Sequence, residues 1–287
     1  MQNSYLLLAL FSMCCYGLGD IVFKIVARKG IPSHLFLIMQ TIFFLPSALA
    51  LGLITGSLYF GYSYMFGMCA GVTLYFALFY FSVSLSSGDV SIVAPIFRSS
   101  FVIASILAII FLNESLTIFK IIAFLLLVIA AFLLLSNLQT NQKHAVDKNS
   151  KRSTLRTLTI ATFLMGITGF LYKLGSIAGD GSISVVNGQA IIFFPLAFIA
   201  CYHKEKKIII LWKFVYLGFA AALFLFVGMY LLLEALKIGP ASTIIPISQM
   251  SFVVTALLGI LLFKESFTGR KMLGLFLTIC SIFILSR

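Results

Sequence analysis

Charged and amide side chains interrupt the apolar runs of this chain at very few points, and chemistry has to be sought there. Asp20 precedes Lys24 by four residues, and Arg98 follows Pro95 by three. An ion at the centre of a hydrocarbon layer costs about 3 kcal/mol or more, so each such group needs a partner or a wet cavity. An Asp20–Arg98 pair, made directly or through a bound solute, is the sharpest expectation. Asp20 and Lys24 also lie at i,i+4 on one helical face, where they satisfy one another if the span ends nearby. Arg98 has no acidic neighbour on its own helix.

Pro95 and Pro246 occupy equivalent points of two apolar runs, and three residues later stand Arg98 and Gln249. Proline removes a backbone donor and frees the carbonyl one turn earlier. In a membrane such breaks are tolerated where protein or cavity water resatisfies the backbone, and matched breaks point to a midplane binding site. Gln40 and Gln189 form another matched pair, with Asn187 nearby. Amides at such depth line a cavity or bridge helices. The rings and hydroxyls of Tyr16, Tyr80 and Tyr230, with Tyr75 and Tyr172, offer stacking and hydrogen bonds at depths a solute could reach. Glu114 and Glu265 close two hairpins, each followed by Ser and Thr, and are expected to cap the helix that comes next. The five cysteines lie in or at the end of apolar runs without metal or redox spacing, and the three histidines fall in loops or at helix ends. No metal or other cofactor is expected.

The elements that hold these groups are written twice. At an offset of 151 the pairs Leu85/Leu236, Gly88/Gly239, Ser91/Ser242, Pro95/Pro246, Phe101/Phe252, Glu114/Glu265, Thr117/Thr268 and Lys120/Lys271 coincide without a gap. At an offset of 149, Gly17/Gly166, Lys24/Lys173, Gln40/Gln189 and Pro46/Pro195 coincide. Internal duplication in a hydrophobic chain marks secondary transporters.

Of the 287 residues 61% are hydrophobic and 10% charged, with a mean hydropathy of +1.13. A soluble domain carries about 25% charged residues, so lipid is the solvent. A spanning helix needs ~20 apolar residues, and ten such segments fit. They lie near 4–26, 33–54, 62–86, 90–112, 117–136, 155–175, 183–202, 212–236, 241–263 and 268–286. The expected fold is an all-α membrane protein with ten transmembrane helices as two inverted five-helix repeats, 1–136 and 154–287. The polar stretch 137–153 is the expected cytoplasmic linker. The N-terminal run MQNSYLLLALFSMCCYGLG has no basic n-region and its repeat partner near Gly166 is an internal helix, so a spanning helix is expected there and not a signal peptide.

Five helices per repeat is an odd number, which inverts the second copy. Loops on one side of the ten spans hold fifteen Lys and Arg residues and the opposite side holds four. Positive charge marks the cytoplasm, which places both termini outside. The net charge of +12 therefore belongs to membrane loops and is no sign of nucleic acid.

FLNESLTIFKIIAFLLLVIAAFLLLS and LFKESFTGRKMLGLFLTICSIFILS resemble the closing signature of the EamA repeat in the drug/metabolite transporter superfamily. That signature is an acidic residue between two helices, a Thr shortly after, then a Gly-containing last helix. Gly17 and Lys24, with Gly166 and Lys173, resemble its opening segment, and the similarity covers the chain as two copies. The resemblance implies an inverted repeat, a central cavity and alternating access in a cell inner (plasma) membrane. It also implies a path lined by the third, fourth, eighth and ninth spans, with the fifth and tenth at the periphery as candidate homodimer contacts. One position departs from the superfamily. Its small multidrug resistance proteins carry a membrane glutamate eight residues before the lysine that matches Lys24, and here Tyr16 and Met165 occupy the two copies. Asp20, one turn later, is then the obvious carboxylate for proton coupling. Export of lipophilic cations is demoted, and Arg98 favours a carboxylate-bearing solute, such as an amino acid or a related zwitterion. The competing reading is flipping of a lipid-linked head group, which Arg98 would also serve. An enzyme needs a nucleophile with its base, paired carboxylates or a metal cluster at depth, and the spans offer none.

Overall fold

The computed structural model describes residues 2–58, 60–87, 96–135, 148–207, 210–263 and 268–285. They form helices α1 (Gln2–Arg28), α2 (Ser33–Ile54), α3 (Tyr62–Ser87), α4 (Ser100–Leu112), α5 (Ile118–Leu135), α6 (Lys148–Ile177), α7 (Ser182–Glu205), α8 (Val215–Ile238), α9 (Ala241–Gln249), α10 (Ser251–Phe263) and α11 (Gly269–Leu285). Among the described residues seven helical stretches are long and apolar enough to cross a membrane, one of them running through α9 into α10. Three shorter apolar stretches, Ile96–Leu112, Ile118–Leu133 and Met272–Leu285, accompany them. Helix α6 begins at Lys148, inside the stretch expected to be linker, because Lys and Arg are good helix formers and extend the helix beyond its apolar part.

The helices are apolar on the outside. Along α11, Leu273, Phe276, Ile279 and Phe283 are exposed, whereas Thr278 and Ser281 are buried. The two buried hydroxyls bond the carbonyls of Gly274 and Leu277 at 2.8 Å each. Exposed Phe and Ile at helical spacing over buried Ser and Thr is the reverse of a water-soluble pattern. It fits a lipid solvent, which leaves apolar side chains at no cost and forces polar ones inward.

The chain folds into two compact units, each drawing on both halves of the sequence. The first holds residues 1–75 and 171–239, and the second holds 76–170 and 240–287. In the first unit α1 packs on α8, and α2 packs on α7 and α8. Helices α2 and α7 are repeat copies, and they run antiparallel. His34 at the start of α2 meets Glu205 at the end of α7 at 2.6 Å. At the opposite end the Ser184 hydroxyl donates to the Ser57 carbonyl at 3.0 Å. Copies of one segment lying antiparallel are what an inverted repeat requires, and this register brings Pro46 level with Pro195. In the second unit α5 packs on its repeat copy α11, and α4, whose own copy is α10, packs on α9.

Small residues set the closest approaches. The Ser12 hydroxyl of α1 reaches the Gly228 carbonyl of α8 at 2.8 Å. In the first unit a Cβ at Gly188 of α7 would fall 2.2 Å from the Tyr64 carbonyl oxygen of α3. A backbone atom cannot swing aside like a side-chain tip. Gly188→Ala is therefore expected to cost about 1–3 kcal/mol, read as a lowered midpoint in thermal unfolding of the purified protein.

Helix ends away from water take their hydrogen bonds from side chains distant in sequence. At the start of α3 the Ser63 N–H donates to Asp180 Oδ2 at 2.8 Å, and the Asp180 N–H returns a 3.2 Å bond to Ser63 Oγ. At the end of α8, Lys173 Nζ donates to the carbonyls of Leu236 and Gly239 at 2.7 Å each.

Candidate functional site

In the second unit each copy of the prolyl segment breaks immediately after its polar residue. Residues 96–98 are helical, Ser99 is a turn (φ −67°, ψ 0°), and α4 starts at Ser100. In the other copy α9 ends at Gln249, Met250 is the turn (φ −75°, ψ 13°), and α10 starts at Ser251. Ser99 and Met250 are repeat partners. Their N–H groups make tight i−3 bonds of 3.1 Å to Ile96 and Ile247, the 3₁₀ geometry that often marks a functional point in a helix. The expected break at Pro246 thus falls one turn later, at Met250. Proline fixes φ at a helical value and weakens the helix only by the missing N–H and the crowded carbonyl behind it. The tight turn that ends α9 lies ahead of it. Pro95 lies outside the described residues.

The two residues before these turns meet. Arg98 Nη1 donates to Gln249 Oε1 at 3.3 Å. Arg98 and Gln249 are repeat partners, and repeat partners can touch only on the pseudo-twofold axis that relates the copies. That axis is the one place in a duplicated fold where both copies face the same point, so a single solute can be addressed by both. Its two sides differ in chemistry here. The guanidinium offers a planar fork of donors, and the carboxamide adds both a donor and an acceptor. Ser100, Ser105, Ser248 and Ser251 nearby in sequence are all buried, and the Ser105 hydroxyl has no hydrogen-bond partner.

The remaining expected residues fall in both units. Tyr80 belongs to the second, where its ring lies 5.5 Å from that of Phe79 and packs on a cluster of Ala77, Phe97, Leu158 and Ala161. Asp20, Gln40, Gln189, Tyr16 and Tyr230 belong to the first. Asp20 is half-buried on α1, and so is Tyr16, which packs against Gly228. Tyr230 is half-buried on α8. Gln189 on α7 is buried and accepts a hydrogen bond from the Tyr172 hydroxyl. Its repeat partner Gln40 on α2 is buried too, but its Oε1 has no partner. The pair shares a position and not an environment.

Sequence reasoning expected Asn187 to line a cavity or bridge helices, and it misdirected Glu114. Asn187 is 0% exposed, and neither its Oδ1 nor its Nδ2 has a hydrogen-bond partner. Its Nδ2 lies 2.3 Å from where a Cβ at Gly52 would stand, so the absent side chain of Gly52 makes its room. A buried polar group left without a partner costs about 1–3 kcal/mol. Asn187→Leu, which keeps the branched shape and removes both orphan atoms, should raise the thermal unfolding midpoint of the purified protein. Glu114 was expected to cap α5, the helix that follows it. It caps α9 instead, through the N–H groups of Ala241 and Ser242, while Thr117 Oγ1 accepts the Lys120 N–H at 3.4 Å in the role expected of it. The signal was present in the sequence as Pro240 before Ala241, a helix start with no side-chain oxygen of its own. Glu265, its repeat partner, lies outside the described residues. Among the described residues no group of three or more His, Cys, Asp or Glu is placed to hold a metal ion.

Comparison with known proteins gives this geometry a lineage. The model of the EamA-like transporter family matches twice, over residues 3–136 and 154–287. The chain belongs to the EamA-like transporter family. These two matches are the repeats read from the sequence offsets, and they cover the chain apart from the segment joining them. The EamA chain is also similar to an uncharacterised protein, MJ1333.1, of Methanocaldococcus jannaschii, at 37% identity over 84 residues. That match takes in 29% of this chain and 61% of the archaeal protein. A crystal structure of another protein superposes with a TM-score of 0.81 at 13% identity, covering 99% of this chain and 96% of its own. At that identity the likeness is one of fold. The protein is an EamA-family membrane transporter of the drug/metabolite superfamily, an all-helical chain that crosses the membrane several times.

Proposed function

We propose that this EamA transporter carries a small anionic or zwitterionic metabolite, an amino acid or a close relative, by alternating access. The observation that carries this reading is the contact of Arg98 with Gln249 across the pseudo-twofold axis. The Gln249 carboxamide is an uncharged partner of the guanidinium. A carboxylate displacing Gln249 from one edge of the guanidinium would gain two bonds between opposite charges where one bond to an uncharged amide was lost. The unlike polar residues of the two copies then decide what is bound, and the shared prolines and glycines supply the frame. Asp20 would carry a coupled proton, since the membrane glutamate of the small multidrug resistance proteins is absent. Gln40, Gln189, Tyr16, Tyr80 and Tyr230 would add hydrogen bonds and ring contacts for the rest of the solute. The expected arrangement is ten spans in a cell inner membrane, both termini outside.

A thermal-stability screen of the purified protein against a metabolite library tests this reading, because a ligand that binds the folded state stabilises it by mass action. Amino acids and other carboxylates should raise the unfolding midpoint, and their esters and amides should not. Stabilisation by lipophilic cations alone would overturn it.

A further inference from the structure

Helix α9 reaches the Arg98–Gln249 contact with its last residue, and something must fix its other end. Its residues from Ala241 to Ser248 are all buried, and Pro240 ahead of it makes no side-chain cap. The first N–H groups of a helix have no partner within it, and Ala241 and Ser242 are buried. Glu114, at the α4–α5 hairpin of the first repeat, takes their bonds. Its Oε1 accepts the Ala241 N–H at 2.7 Å, and its Oε2 accepts the Ser242 N–H at 2.9 Å and the Ser242 hydroxyl at 2.5 Å. Lys120 Nζ closes the group by donating to Ser242 Oγ at 2.8 Å and to the Ser115 carbonyl at 2.7 Å. The Ser242 hydroxyl thus donates once and accepts once. The carboxylate also lies at the positive end of the helix dipole.

We propose that Glu114 is the positioning residue of the Arg98–Gln249 pair. Helix α9 has nine residues, a rigid rod of ~13 Å at 1.5 Å per residue. A hold on its first turn therefore sets where Gln249 stands. One repeat places the helix of the other, and it does so through a carboxylate that never reaches the solute. The inference rests on the reading of Arg98 and Gln249 as the solute contact, and its test needs no solute.

In a full-length chain whose five native cysteines are replaced by serine, Arg98→Cys and Gln249→Cys are introduced together, and their joining by a short bifunctional thiol reagent is timed. A second chain carries Ser84→Cys and Thr157→Cys as a control, since the Ser84 and Thr157 hydroxyls meet at 2.8 Å between α3 and α6 without α9. Glu114→Ala is expected to slow the 98–249 reaction about tenfold, the effect of losing three charge-assisted bonds at one helix end, and to leave the control rate unchanged. Glu114→Gln keeps one acceptor oxygen and should lie between Ala and the parent, which also guards against an Ala variant that fails to fold. An unaltered 98–249 rate in both variants would overturn the proposal. So would equal slowing of both pairs, because that reports a loosened protein and no directed hold. The reading of Arg98 as a solute contact stands or falls separately, on binding and uptake.

Discussion

Arg98→Ala protein should reach the membrane and fold normally, yet take up carboxylate solutes on the order of 100-fold less efficiently. A hydrogen bond to a charged group is worth about 1.5–3 kcal/mol, and each 1.4 kcal/mol is tenfold in affinity. Two such bonds from one guanidinium to one carboxylate set the size of the loss. It should appear mainly in KM, because the cation acts on the bound solute and makes no covalent step. Arg98→Lys keeps the charge and loses the fork, so it should recover part of the affinity and not all. The half-buried Arg98 donates to Gln249, and the Lys variant, which keeps the charge, separates a loss of recognition from a loss of folding. An Arg98→Ala protein with the parent's KM for every carboxylate it carries would contradict the assignment.

Lys173→Met should do the opposite, damaging stability first. Lys173 is 8% exposed, and its ammonium holds the carbonyls of Leu236 and Gly239. Those carbonyls belong to the end of α8, where the helix offers no partners and the dipole favours a cation. Methionine matches the length of the stem and leaves the carbonyls to fend for themselves. A loss of about 2–4 kcal/mol follows from two charge-assisted bonds broken away from water. Heat denaturation of the purified protein in detergent should show it as a drop of several degrees in the midpoint. A midpoint within a degree of the parent would show that other groups hold the end of α8.

Much of the frame was legible because repetition is a sequence property. The offset that pairs Arg98 with Gln249 was read without coordinates, but the partner expected for Arg98 was Asp20, and the contact with Gln249 came only from the structure. The apolar lengths of most helices were equally plain, since hydropathy responds to each residue in place. What stayed hidden depends on three-dimensional neighbours. The two compact units mix the halves of the chain, because α2 packs on α7 and α5 on α11, and no local pattern tells a helix which copy it will face. Capping rules look a few residues along the chain, so Glu114 was assigned to α5 and not to α9. The break after Pro246 was placed on the proline itself, whereas the turn formed at Met250. Asn187 passed for one more interior amide, and only the packing against Gly52 showed that its hydrogen bonds go unmade.

The central claim is that the Arg98 side of the axis recognises a carboxylate on a soluble metabolite. The most direct measurement is made in one preparation of reconstituted vesicles. Uptake of radiolabelled amino acids and other carboxylates is followed beside uptake of a lipophilic cation and the flipping of a fluorescent lipid probe. The account predicts saturable uptake of a carboxylate solute, competed by other carboxylates and lost in Arg98→Ala vesicles, with the cation and the lipid probe unmoved. Cation uptake or lipid flipping in vesicles that take up no carboxylate would contradict it.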